Sequence, residues 1–429
     1  MSRSEIKVGL LGLGVVGSGT VHILADNAAA IAQKVGAPVT VARAAVRDRT
    51  KSRGLDLPSH LITTDPYEVI NDPEIDIICE VVGGVEPART WLLQALNNGK
   101  NVVTANKELM ARAGGELLHL AEERGLDFNF EASVGGGIPI IQPLKQALSA
   151  NRFGSIYGIV NGTTNYILSK MTSEGADFAD VLAEAQAQGF AEADPTNDVD
   201  GFDARFKIAI LSSIAFNSRV NVDDIHVEGI RGISKRDIEV AGELGYVIKL
   251  LGIGQENSQG LQVRVHPALL GQSHPLAAVD GVYNAVYVRG NYVGDVMLYG
   301  RGAGSLPTGS AIVGDIIEIG RNIRHGATGR LGCTCFETKP LIGLDSLVSR
   351  YYLRIETSDR PRVLASVTGI LGDFDVSIGS MVQHERPDNV AEMVAITHPA
   401  LEVNMRSALD VLKRISIVKN IANCLRVVE

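Results

Sequence analysis

The sequence predicts an α/β chain in three parts: a doubly wound parallel domain, an α+β middle domain and a small C-terminal βαββαβ unit. Three observations carry this. A β-branched run at 6–11 passes through closely spaced glycines into a helical pattern. Short, nearly continuous apolar runs then alternate with helical patterns to about residue 134, as strands of a parallel sheet do. Beyond a linker near 340–349, strand and helix patterns follow in the order strand, helix, strand, strand, helix, strand.

Length and composition agree. A chain of 429 residues has a prior of about three domains, and 45% hydrophobic with 21% charged residues is ordinary for globular proteins. A net charge of −9 argues against a nucleic-acid or anionic-membrane surface, which needs a basic face. No run of 18 or more apolar residues is present, so no transmembrane helix is expected. Arg3 and Lys7 ahead of apolar residues faintly imitate a secretory signal, but a cleavage site of small residues is missing. Cys79, Cys333, Cys335 and Cys424 form no disulfide framework at this length, and Cys333-x-Cys335 lacks a second pair for zinc. Free thiols in a cytoplasmic protein are the expectation.

The first part begins IKVGLLGLGVVGSGTVHILA (6–25), with Gly12-x-Gly14-x-x-Gly17 where strand gives way to helix. A Rossmann-type dinucleotide site needs glycines there for a tight turn, close backbone approach to a pyrophosphate and helix–strand packing. Gly12, Leu13, Gly14, Val15, Val16 and Gly17 are therefore cofactor-binding candidates. The second strand, VTVARAAV (39–46), is followed by Arg47, Asp48, Arg49 and Lys51. NAD-preferring sites place an acid at this point, whereas Arg47 and Lys51 suit a 2′-phosphate, so NADP(H) is favoured over NAD(H) unless Asp48 turns inward. The run IDIICEVVGGV (75–85) reads as a buried strand whose closing Gly83-Gly84 puts backbone, Gly83 first, beside the cofactor crevice. A helix at 88–97 and a strand NVVTA lead to Asn106-Lys107; Lys107 either faces the crevice or is a solvated helix-start lysine.

The strand LDFNFEASV (126–134) then reaches Glu131, and Gly135-Gly136-Gly137-Ile138-Pro139 follows. Three glycines in a row predict a bend whose carbonyls could hold a ligand or a monovalent ion. In SIYGIVNGTTNYILSKM (155–171) the turn Asn161-Gly162-Thr163-Thr164-Asn165 offers hydroxyls and amides to a polar substrate, or is simply an N-cap box. The densest chemistry lies in AQAQGFAEADPTNDVDGFDARFK (185–207), with Glu192, Asp194, Asp198, Asp200 and Asp203 ahead of Lys207. Phe202, Phe206, Ala209, Ile210 and Ser213 keep a helical period, with Asp198 or Asp200 as cap, so Asp203 and Lys207 share a face. This is either a catalytic array or a solvated ion pair.

Strands at 261–267 and 284–290 suggest a mixed sheet in the middle part, His226, His266 and His274 read as structural or surface residues, and a helix spans 307–322. In the C-terminal unit, strands at 351–357, 376–383, 389–397 and 422–428 alternate with helices at 361–374 and 401–415.

Taken together, these motifs resemble the homoserine dehydrogenase family. The family signature reads here as Ala185, Gly189, Asp194-Pro195, Asp198, Gly201, Asp203 and Lys207 without a departure. The glycine fingerprint, Thr104-Ala105-Asn106-Lys107, Glu131-Ala132-Ser133-Val134, Asn161-Gly162-Thr163-Thr164-Asn165 and GRGAGSLPTGSAIVGDI (300–316) are similar to family stretches, so the likeness covers about 6–335. The last stretch matches the family's return to the nucleotide domain. The resemblance implies reversible hydride transfer between L-homoserine and L-aspartate 4-semialdehyde with NAD(P). It makes Lys207 the catalytic proton donor and Lys107 a second lysine near the reacting carbons and cofactor. It gives Glu192 and Asp203 the substrate, with Thr163 beside them, and sets Gly189 and Gly304 at the nucleotide. It also implies a sodium ion near Glu131 with the carbonyls of Val134, Gly136 and Ile138.

The C-terminal order, with Asp359-Arg360-Pro361 leading its first helix, resembles an ACT domain, which binds amino-acid effectors between paired copies. Threonine is the effector such a pathway implies. Arg362 stands where that family usually has glycine, so the unit either binds an effector differently or only dimerises. The expected boundaries are 1–134 with a return at about 305–340, 135–304 for catalysis and dimerisation, and 350–429 for the ACT unit, in a homodimer or homotetramer. No kinase segment precedes the glycine loop, so a monofunctional chain is expected.

Two other readings compete. A hydroxy-acid or prephenate type of dehydrogenase with an ACT tail would want a catalytic histidine paired with a carboxylate, and none of the nine histidines sits in such a motif. A non-catalytic sensor of a dinucleotide and an amino acid would show no dehydrogenation of homoserine.

If Lys207 handles the hydroxyl proton, its pKa must fall below the usual 10.4 or so. A dry site and a helix N-terminus lower it, while Asp203 one turn away raises it.

Overall fold

The computed structural model describes residues 3–55, 57–386 and 389–428. The chain forms two compact units. One runs through Val160 and includes Phe206–Asp224 and Tyr283–Lys339; the other comprises Asn161–Arg205, Ile225–Val282 and the chain from Pro340.

Among the described residues, the first unit holds a six-stranded parallel sheet. Its strands are β1 (Ile6–Leu11), β2 (Val39–Ala45), β3 (Ile62–Thr63), β4 (Ile77–Glu80), β5 (Asn101–Thr104) and β6 (Phe128–Asn129). Their order is β3-β2-β1-β4-β5-β6, the doubly wound dinucleotide-binding order, with all pairs parallel. β1 and β4 are almost wholly buried, which is why they read as unbroken apolar runs. Ile6, Val8 and Leu10 of β1 pack with Ile312, Ile316 and Ile319 of the returning helix Ser305–His325. That helix meets Val15–Asp26 backbone to backbone. A Cβ on Gly19 would lie 2.2 Å from the Ser305 carbonyl oxygen, and one on Gly309 2.9 Å from Gly19.

Several elements differ in extent from the sequence reading, three of them in the first unit. The strand expected over 75–85 is confined to Ile77–Glu80, because Gly83 and Gly84 turn the chain at φ 77° and 74°. The strand expected over 126–134 is only Phe128–Asn129. Glu131–Ser133 is a short 3₁₀ turn, stabilised where the Glu131 amide donates to Asp315 at 2.9 Å. The helix expected at 307–322 runs Ser305–His325, between Gly304 and a left-handed Gly326. The unit also carries antiparallel strands Phe153–Ile159, Tyr283–Gly290 and Gly294–Arg301.

In the second unit the hairpin Tyr246–Asn257 and Gly260–Gly271 pairs through Gly260–Gly271 with Val418–Val428. That last strand leads into the expected C-terminal order: Val348–Ser358, helix Val363–Asp373, Ile378–Arg386, Val390–Thr397, helix Glu402–Leu412, Val418–Val428, with a short extra strand at Ala400–Leu401. Tyr351, Leu353, Val367, Leu371, Met405 and Leu412 are in its core. Arg362 takes a left-handed φ of 74°, so the backbone keeps a conformation that glycine adopts freely even though the side chain departs from the pattern. Among the described residues no single helix is long and apolar enough to cross a membrane.

Candidate active site

The nucleotide end is built on the carboxyl ends of β1 and β4, where the strand order reverses. A cavity of ≈ 760 Å³ opens there, lined by Gly12, Leu13, Gly14, Arg47, Lys51 and Gly83 among others. Gly12 turns the loop at φ 104°, and a Cβ there would press to 3.0 Å on the Val81 carbonyl oxygen. A Cβ on Gly17 would come within 2.5 Å of the Gly12 carbonyl oxygen, so the helix starts hard against the loop. Gly14 is the opposite case: among the described residues nothing lies within 4 Å of its Cβ position. That opening is at the N-terminus of helix Val15–Asp26, and it fits a pyrophosphate approaching backbone amides. Val15 and Val16 belong to the first turn of that helix rather than to the cavity lining.

The cationic loop after β2 is organised by two residues. Asp48 accepts the amide and hydroxyl of Thr50 at 2.8 and 2.6 Å, which holds its carboxyl below the usual range and binds it into its own turn. Arg53, which the sequence reading passed over, donates to the carbonyls of Leu13, Lys51 and Asp48 at 3.0, 2.7 and 2.7 Å. It ties the cationic loop to the glycine loop and lines the cavity with Arg47 and Lys51. Its signal was the spacing of cations in RDRTKSR (47–53).

Glu80, also missed, ends β4 fully buried and accepts from the amides of Val82 and Gly83 and the hydroxyl of Thr104. Burial pushes its pKa up, against the pull of those hydrogen bonds. A lone acid closing an apolar run before two glycines was the available clue. Asn106 donates to the Gly84 carbonyl at 2.6 Å and caps helix Lys107–Glu123 through the Leu109 amide, so Lys107 starts that helix, half-buried.

At the glycine bend, the Glu131 carboxylate accepts three amides, from Ile140 and Ile141 on Oε1 and Gln142 on Oε2, at 2.6 to 2.7 Å. Burial raises its pKa and those bonds oppose the rise. Val134 and Ile138 are buried, and Gly136 (φ 54°) is where a Cβ would meet the Gly302 carbonyl oxygen at 2.4 Å. With two lone pairs per oxygen, Oε2 keeps one direction for a cation, so carbonyls would have to supply most ligands.

In the acidic segment, Asp203 and Lys207 lie one turn apart on helix Phe202–Ala215 and are only 4% and 9% exposed. This burial removes the solvated-pair reading. Lys207 donates to the Val160 carbonyl at 2.7 Å. Asn161, next in the chain, donates to Asp203 at 2.9 Å and Asp198 at 2.7 Å, and caps helix Gly162–Glu174 by accepting the Thr164 amide. Asn161 thus serves as the N-cap that the turn motif allowed and also holds two carboxylates, which the motif did not specify. Thr163 donates its hydroxyl to the Phe190 carbonyl at 2.6 Å. Asp194 accepts the Thr196 amide, and Asp200 pairs with Arg231 at 2.6 Å, so these two shape the segment. Glu192 is exposed; so are Gly189, past helix Phe178–Ala187, and Gly304, ahead of the long returning helix.

The histidines are structural: His266 is fully buried against Pro267 and Arg264, His274 caps a short turn, and His226 pairs with Glu228. Among the described residues no group of three or more His, Cys, Asp or Glu is placed to hold a metal ion.

Comparison with known proteins agrees with this architecture. A homoserine dehydrogenase family model matches residues 139–317, a homoserine dehydrogenase NAD-binding domain model matches 12–131, and an ACT domain model matches 351–416. A homoserine dehydrogenase of Synechocystis sp. is 47% identical over 99% of this chain and 100% of its own. The crystal structure of a homoserine dehydrogenase from Thiobacillus denitrificans superposes with a TM-score of 0.94 at 43% identity, covering 99% of this chain and 98% of that one. A hyperthermophilic archaeal homoserine dehydrogenase in complex with NADPH gives a TM-score of 0.63 at 28% identity over 73% of this chain and 97% of its own. The chain belongs to the homoserine dehydrogenase family, NAD(P)-dependent oxidoreductases of amino-acid biosynthesis, and carries an ACT domain at its C-terminal end.

Proposed function

We propose that Lys207 carries the hydroxyl proton of homoserine while Asp203 and Glu192 hold its ammonium group, with Thr163 and Lys107 on the same substrate. The observation behind this is the burial of Asp203 and Lys207 together on one helix face. A buried lysine ammonium with one donor on a backbone carbonyl has a fixed direction, which a proton carrier needs. Asp203, aimed by Asn161, places negative charge in a water-poor setting, where it attracts an ammonium more strongly than at the surface. The bound dinucleotide supplies the hydride acceptor. Gly12, Leu13, Gly14, Val15, Val16, Gly17 and Gly83 would hold its phosphates and ribose, with Gly189 and Gly304 nearby.

NADP(H) is the preferred cofactor in this reading. Arg47, Lys51 and Arg53 line the cavity while Asp48 is committed to Thr50, and the archaeal relative was solved with NADPH. A sodium ion on Oε2 of Glu131 and the carbonyls of Val134, Gly136 and Ile138 would brace the bend. Domain boundaries at 1–134 with 305–340, 135–304 and 350–429, a homodimer or homotetramer, threonine as ACT effector and a cytoplasmic location complete the proposal. The experiment is homoserine oxidation with NAD and with NADP, each with and without threonine. Faster turnover with NADP and inhibition by threonine are expected; equal use of both cofactors and indifference to threonine would remove those parts.

A further inference from the structure

The sequence singled out Cys333-x-Cys335, and neither substrate nor cofactor binding uses it. In the structure a cation is bonded to the first of the two thiols. Arg219 donates through Nη2 to the Cys333 sulfur at 3.1 Å, and the Cys335 amide donates to that same sulfur at 3.4 Å. The chain therefore turns locally, with the Cys335 amide on the Cys333 sulfur. Cys335 in turn donates its thiol hydrogen toward the Ser213 carbonyl at 3.5 Å. Arg219, Lys145, Cys333 and Cys335 line one small cavity of ≈ 30 Å³, with Lys145 also 5.6 Å above the Phe130 ring. The Arg219 guanidinium rests against helix Lys107–Glu123, where a Cβ on Gly115 would lie 2.9 Å from it. Cys333 and Cys335 are half-buried, as is Cys424, whereas Cys79 is buried.

We propose that Cys333 and Cys335 form a peroxide-reactive pair, Cys333 being the attacking thiolate and Cys335 the resolving thiol. The geometry supplies what such chemistry needs: a cation and an amide on the attacking sulfur, a proton-bearing neighbour two residues away, and access for a small oxidant. Hydrogen bonding from Cys335, whose amide is on the sulfur, and the charge of Arg219 hold the Cys333 thiol well below its ordinary range, while the neighbouring Cys333 and burial push Cys335 up. Burial pushes the Cys79 and Cys424 thiols up, the latter to about 12, away from the thiolate form that attacks peroxide.

In the first step the Cys333 sulfur attacks hydrogen peroxide: an S–O bond forms, the O–O bond breaks, and hydroxide leaves. Sulfur is oxidised by two electrons and peroxide is reduced. In the second step the Cys335 sulfur attacks the sulfenic sulfur: the S–S bond forms, the S–O bond breaks, and hydroxide leaves with the Cys335 proton as water. Oxidation removes the thiol hydrogen that Cys335 offers Ser213, on the helix that carries Lys207.

The test treats the full-length protein with hydrogen peroxide and maps thiols by peptide mass spectrometry after alkylation. A loss of about 2 Da on the peptide holding both cysteines is expected, together with a dimedone adduct at Cys333 in Cys335→Ser. Alkylation of Cys333 at about pH 6 should slow roughly tenfold in Arg219→Gln. Oxidation of Cys79 or Cys424 as fast as Cys333 would overturn the proposal, as would a Cys333 that alkylates only near the ordinary thiol pKa of about 8.5. Should either variant fold poorly, the wild-type mapping decides alone.

Discussion

Arg47→Ala isolates the cofactor reading. Arg47 is exposed on the cavity rim after β2, so a charge contact there works in a water-like medium. A unit charge ~4 Å from another is worth about 1 kcal/mol in water, so a phosphate carrying up to two charges gives about 1–2 kcal/mol. This converts to roughly 5- to 30-fold. The Michaelis constant for NADP should rise by that factor, while that for NAD, which lacks the phosphate, stays within about twofold. Arg53 and Lys51 remain in the variant, so binding is weakened rather than lost. The assay is initial-rate oxidation of homoserine with each cofactor, repeated at high salt. The effect should shrink as the Debye length falls to about 3 Å at 1 M. Equal rises for NAD and NADP, or an effect indifferent to salt, would refute the reasoning.

Three further outcomes follow from the geometry. Asn161→Ala removes a helix cap, worth about 1 kcal/mol, and the donor that aims Asp203; kcat/KM for homoserine should fall while KM for NADP holds, and unchanged homoserine kinetics would contradict it. Glu392 is fully buried among Arg236, Arg354 and Arg386 at 2.7, 3.3 and 2.9 Å, so Glu392→Gln should cost roughly 3–5 kcal/mol in urea unfolding. Burial pushes its carboxyl up, but bonds from Arg236 and Arg386 outweigh that and hold it at about 2 against an ordinary 4.5. The contribution is thus complete above that ordinary value and lost as pH falls through about 2, so the gap between variant and wild type should close in that window. Arg362→Gly should raise Tm by relieving a left-handed residue, a gain of roughly 1 kcal/mol, and a lowered Tm would contradict the strain.

Much of the first unit was legible because its elements are local. The strand at Ile6–Leu11, the glycine turn and the helix after it each follow from residues adjacent in sequence. Elements set by distant partners were not. The expected strand through Glu131 gave way because Asp315, far along the chain, takes the Glu131 amide. The same holds in the site. Lys207 and Asp203 were visible as an i,i+4 pair, but their burial depends on packing that no spacing encodes. Asn161, Glu80 and Arg53 act by aiming other groups, and a polar residue that positions a loop looks like any other polar residue in a sequence. Arg362 shows the converse: the residue departs from the pattern while its backbone takes a left-handed conformation that glycine adopts freely.

The central claim is that Lys207 moves the substrate proton. Its most direct test is the turnover of Lys207→Ala, with homoserine and NADP affinities measured on the same preparation. The account predicts that kcat falls by roughly 10²–10⁴ while both affinities stay within a few-fold. Turnover close to that of the wild type would contradict it.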